Sequence, residues 1–125
     1  MATWEEVSAV AMRLPGVTEE GRTWKVRGKS LAWERPLRKS DLEALGAAAP
    51  SGPILGIRTV DVLEKDTILS AMPEVFFTTP HFDGYPAVLA RLEPLDVPVL
   101  AQLLEDIWRE RATKKAVQAW LAREG

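Results

Sequence analysis

The chain has one histidine, His81, and it stands in "FFTTPHFDGYPAVLARL", Phe76 to Leu92. An imidazole titrates near neutrality, so His81 could act as a general base or touch a ligand. Thr79, Asp83 and Tyr85 are close enough in sequence to join it. General-base work needs an orienting partner and a group to activate. No second base accompanies His81, and Thr78 and Thr79 lack the glycine-flanked elbow of a serine-type nucleophile. The residues therefore predict no catalytic group and no enzyme. Pro80 to Asp83 read instead as a rigid hairpin tip whose polar groups bond to loop backbone. Thr79, His81, Asp83 and Tyr85 remain candidates for the border of a small-molecule pocket.

Metal and cofactor chemistry find little support. There is no cysteine and only one histidine, so thiolate sites and multi-histidine zinc sites are excluded within one chain. Asp61, Glu64 and Asp66 sit where a helix should start, and carboxylates favour that positive end. The glycines form neither a phosphate loop nor a dinucleotide pattern. No metal and no cofactor are expected.

Basic residues are more suggestive. Arg22, Lys25, Arg27, Lys29, Arg35, Arg38 and Lys39 lie in one stretch with a single acid, Glu34, in a chain whose net charge is −2. Such asymmetry can make a positive surface on an acidic protein. Lys25 and Arg27 are placed on the polar face of one strand, opposite Trp24 and Val26. The stretch reads either as a nucleic-acid surface that contacts phosphates or as a solvated face that protects a strand edge.

These residues must be positioned by a chain of 125 residues, a length that fits one domain over 1–125. The amino terminus does not read as a signal peptide. No stretch approaches the roughly 20 apolar residues of a membrane span. A bacterial cytoplasmic protein without a membrane partner is expected, with its oligomeric state open.

Thr3 and Glu6 stand at capping-box spacing before a helix ended by "LPG". Trp24 and Val26, then Leu31 and Trp33, alternate with polar residues on either side of Gly28, which predicts a hairpin. Ser40 with Glu43 marks a short helical turn. Ile54 to Thr59 reads as a third strand, and Asp61 with Glu64 opens a helix that runs to Met72. "VFFTT" and "YPAVLARLE" predict two further strands around a five-residue loop, "PHFDG". Asp96 starts the last long helix, and residues from Thr113 either extend it or form another. The expected architecture is α+β: two layers, an antiparallel five-stranded sheet with helices on one face, in the order α-β3-α-β2-α. Trp24, Val26, Leu31, Trp33, Ile57, Phe77, Leu103, Ile107 and Trp108 are expected to share one core.

"TWEEVSAVAMRLPGVTE", "WKVRGKSLAW", "MPEVFFTTPHFDGYPAVLARLEPLD" and "LLEDIWRERATKK" together resemble the MmcQ/YjbR-like family. The match runs to about residue 115 and departs at 36–53, which is longer and more helical than the family's connection. The resemblance implies a secretion-chaperone-like α+β topology. Its members are often labelled DNA-binding, and it supplies no agreed catalytic residues. Three functions follow as expectations: a small non-enzymatic domain binding DNA weakly and without sequence preference through the basic hairpin, a protein-interaction or chaperone-like module, or a small-molecule pocket beside the His81 hairpin.

Overall fold

The computed structural model describes residues 2–124. Helix α1, Trp4–Met12, opens on the expected capping box. The Glu6 N–H donates to Thr3 Oγ1 at 3.2 Å, and the Thr3 N–H donates to Glu6 Oε1 at 3.1 Å. The sheet has six strands rather than five: β1 (Val17–Glu19), β2 (Thr23–Val26), β3 (Lys29–Glu34), β4 (Ile54–Arg58), β5 (Phe76–Phe77) and β6 (Ala87–Arg91). Every pairing is antiparallel, in the order β1-β2-β3-β4-β6-β5. The additional strand, β1, is too short for an alternating pattern and forms by pairing Val17 with Val26 and Glu19 with Trp24. The remaining helices are α2 (Lys39–Leu45), α3 (Val62–Ala71), α4 (Val97–Arg111) and α5 (Lys114–Glu124). The α4 helix ends at Ala112 in extended backbone, so α5 is a separate helix, with Thr113 Oγ1 accepting the Ala116 N–H.

Helices α1 and α4 pack on each other, and α4 crosses β3 and β4. Under them lies the main core, which includes Trp24, Val26, Leu31, Leu55, Ile57, Phe76, Ile107 and Trp108, with Leu103 partly buried at its margin. Trp33 and Phe77 do not join it. They pack on the opposite face of the sheet with Ile54, Phe82, Ala87, Leu89 and Leu37. A β-bulge explains Trp33. Trp24 pairs with Ala32 but Lys25 pairs with Ser30, so Leu31 is the extra residue. A bulge breaks period-two alternation, and here Leu31 and Ala32 both enter the main core. Trp33 is thereby turned to the other side. Its indole lies on Gly56 of β4, where an added Cβ would come within 2.6 Å of the ring. Phe77 differs for a simpler reason: its strand neighbour Phe76 takes the core face.

The second face is partly covered by the chain itself. Helix α2 packs against the 3-10 turn Pro80–Phe82, so the helices do not all lie on one side. The link between β5 and β6 is residues 78–86, not a five-residue tip, because pairing stops at Phe77 and Leu89. This long link folds back over the sheet and buries Phe82. Asp41, rather than the expected Ser40 and Glu43, fixes the start of α2 by accepting the Arg38 N–H at 2.8 Å.

Candidate functional site

A cleft of about 760 Å³ opens between the 33–38 segment and the His81–Tyr85 loop. Trp33, Phe82 and Tyr85 give it aromatic walls; Glu34, Arg38, His81 and Asp83 give it a polar rim of both signs. The volume is in the range of small-molecule sites, which are mostly apolar with a few placed polar groups.

Two buried polar knots hold the walls. In the first, Arg35 Nη2 meets Asp41 Oδ2 at 3.0 Å, with both side chains almost wholly buried. Arg35 Nη1 also donates to the Pro36 carbonyl, and the guanidinium lies 5.3 Å from the Phe82 ring. Burial works against ionised Asp41, but the Arg38 N–H, the Arg35 guanidinium and the Thr79 hydroxyl outweigh it and hold its carboxyl below the ordinary value. This knot ties the end of β3 to α2 and to the loop. In the second, Lys65 reaches from α3 under the loop, and its Nζ donates to the carbonyls of Phe82 at 2.5 Å and Tyr85 at 2.9 Å. Lys65 is 4% exposed. Burial lowers its pKa, opposed by the charges of Asp83 and Asp66. Lys65→Met should release the loop at a cost of about 2–4 kcal/mol, since two carbonyls lose their donor. Urea unfolding and amide exchange over residues 82–87 would measure this. A loss below about 1 kcal/mol with unchanged exchange would mean that the loop holds itself.

The expected pocket residues divide. His81, Asp83 and Tyr85 line the cleft. Thr79 is buried near Asp41 and does not line the cleft. The His81 ring meets Phe82 edge-on at 4.9 Å, and among the described residues no side-chain hydrogen bond orients it. Tyr85 is fixed from outside the cleft: Arg58 Nη1 donates to its Oη at 2.6 Å.

The basic residues also divide. Arg35 is inside the first knot and is not surface. Arg22 pairs with Glu34 at 3.1 Å and lies over the Trp4 ring. Arg27 is not on the strand face with Lys25; it occupies the β2–β3 turn at φ 53, next to Gly28 at φ 77. Two consecutive residues of positive φ make the tight turn that suits the twist of a hairpin. Arg38 and Lys39 are exposed near the cleft mouth, and Lys25 and Lys29 are exposed near the turn. The seven do not form one patch.

Sequence reasoning missed Lys65, Asp41 and Arg58. Lys65 had a readable signal: it stands three residues before Ile68 and seven before Met72, on the apolar side of its helix. Among the described residues, no group of three or more acidic or histidine side chains could hold a metal ion. No described helix is long and apolar enough to cross a membrane.

The fold and the cleft together define a small α+β domain: an antiparallel sheet with α1 and α4 on one face, and α2 and a looped-over pocket on the other. An uncharacterised protein of Mycobacterium bovis and its counterparts in two strains of Mycobacterium tuberculosis are each 49% identical to this chain over 129 residues, covering 100% of both partners. The chain belongs to the family of these mycobacterial proteins. No family model matches it. Its fold is similar to the crystal structure of Deinococcus radiodurans protein DR2400, a DUF419 domain, with TM-score 0.62 and 18% identity across 98% of this chain and 89% of that one.

Proposed function

We propose that this protein is a non-catalytic binding module whose ligand enters the cleft between Trp33–Arg38 and His81–Tyr85. The observation that carries the reading is a preformed aromatic cleft whose walls are braced by buried charged groups. Bracing of this kind lowers the ordering cost of binding. The ligand fitting these walls is a flat molecule with an apolar body, which the rings contact, and polar edges, which meet Glu34 and Arg38 on one side and His81 and Asp83 on the other. Catalysis is not part of the reading, because among the described residues no side-chain hydrogen bond orients His81 and no nucleophile pattern accompanies it. The sequence blocks shared with the MmcQ/YjbR-like family and the DUF419-like fold support placing the chain in that wider group.

The test is a small-molecule library read by thermal shift, followed by rim variants. His81→Asn and Tyr85→Ala should leave urea unfolding within about 1 kcal/mol of wild type, both positions being exposed. Each should weaken a cleft ligand by about tenfold, the loss of one good polar or aromatic contact. Binding unchanged in both variants would place the ligand elsewhere.

A second reading keeps nucleic acid in view. Lys25, Arg27 and Lys29 remain exposed around one turn, and none is in an ion pair among the described residues. Contacts there would be to phosphates, with affinity of about 10⁻⁴–10⁻⁶ M and steep salt dependence. Duplex binding at low salt that is unaffected by Lys25→Ala/Lys29→Ala would remove it.

A further inference from the structure

The end of the sheet where β4 stops gathers three arginines from distant parts of the chain. Arg58 is the last residue of β4, Arg111 the last of α4, and Arg27 sits in the β2–β3 turn. Arg27 Nη1 donates to the Arg111 carbonyl at 3.4 Å. Arg58 donates to Tyr85 Oη and lies 4.6 Å from the centre of that ring. The Nε–H groups of both Arg58 and Arg111 are buried and have no acceptor among the described residues. Burial and the neighbouring Arg58 charge both push the Arg111 pKa down.

Among the described residues no carboxylate is in an ion pair with these three arginines. The ion pairs among the described residues join Arg22 to Glu34, Arg35 to Asp41 and Arg109 to Glu105. Asp83 and Asp66 act on Lys65 instead. The carboxyl end of α4 supplies some compensation, but a helix end carries only about half a negative charge against three cations. Half-buried guanidinium groups of like charge with unsatisfied donors are costly until an anion joins them. Arginine forks match the geometry of phosphate oxygens. The Tyr85 hydroxyl accepts from Arg58, which leaves its own hydrogen free to donate.

We propose that Arg58 and Arg111, with Arg27 and the Tyr85 hydroxyl beside them, form a binding site for a phosphate group at this end of the sheet. The site is separate from the cleft, although Tyr85 stands between the two. The phosphate can come from a free or small-molecule source or from a nucleic-acid backbone.

The experiment titrates inorganic phosphate and, in a second arm, a short DNA duplex into the full chain, against chloride at matched ionic strength. Readouts are melting temperature and the arginine side-chain NMR signals. Saturable stabilisation by phosphate is expected, weakened about tenfold or more by Arg58→Gln and by Arg111→Gln. Arg91→Gln, at the opposite end of β6, should leave it unchanged. Without phosphate, Arg111→Gln should melt no lower than wild type, because it relieves like-charge repulsion. Arg111→Lys retains the charge but loses the fork, and tests the site should the glutamine variant fold poorly. A duplex that binds through the same arginines while inorganic phosphate does not would assign the backbone as the source; the reverse would assign a small phosphate. Neither ligand binding, or binding indifferent to Arg58 and Arg111, would overturn the proposal.

Discussion

Trp108→Ala is expected to destabilise the protein by about 3–5 kcal/mol, the usual cost of emptying a large buried aromatic site. Trp108 is fully buried between α4 and the sheet. Its indole Nε1 donates to the Pro15 carbonyl at 2.8 Å, closing the turn after α1 onto α4. Its ring also meets Trp120 of α5 edge-on, with centroids 5.7 Å apart. One substitution therefore opens a cavity, orphans a carbonyl and undocks α5. Trp108→Phe should lose less, since most of the volume stays. Urea unfolding of both variants measures the difference. A loss below about 1 kcal/mol for the alanine variant would mean that the helical layer does not depend on this residue.

Arg35→Met should cost a similar amount, about 3–5 kcal/mol at neutral pH, because it leaves Asp41 buried without its cation. The pH dependence has a definite sign. In the wild type the Asp41 pKa lies below its unfolded value. Its contribution is thus fully present above the unfolded value near 3.9 and is lost as pH falls through the folded one. Arg35→Met removes two of the interactions that hold the Asp41 carboxyl down, so burial should weigh more and its pKa should rise relative to wild type. The variant's deficit should then shrink on acidification, as Asp41 takes up a proton. Arg35→Met/Asp41→Leu should recover much of the loss, since an apolar replacement of both partners is often neutral. Urea unfolding between pH 4 and 8 checks all three statements. A deficit that does not change with pH would mean that Asp41 is not the group left stranded.

The helix starts at Thr3–Glu6 and Asp61–Glu64 were legible because a cap is local: its donor and acceptor lie three residues apart. Leu31 and Trp24 were legible from alternation. Trp33 was not, because a bulge depends on pairing with another strand and leaves no mark in the strand's own pattern. Counting charges failed for Arg35 for a related reason: Asp41 converts it from a surface cation into a buried brace. The cleft was half legible. His81, Asp83 and Tyr85 lie in one segment, but the opposing wall from Trp33 to Arg38 meets them only through folding. Arg58 and Arg111 lie 53 positions apart in sequence, and only the fold joins them.

Everything proposed for the cleft between Trp33 and Tyr85 depends on its binding a ligand. A fragment screen with flat, polar-edged molecules, read by amide and indole chemical shifts of the labelled protein, tests it most directly. Hits should move the Trp33 indole N–H together with the amides of His81 to Tyr85, and should lose this effect in Tyr85→Ala. Hits that gather on another surface, or a library that leaves the Trp33 indole and the 81–85 amides unmoved, would contradict it.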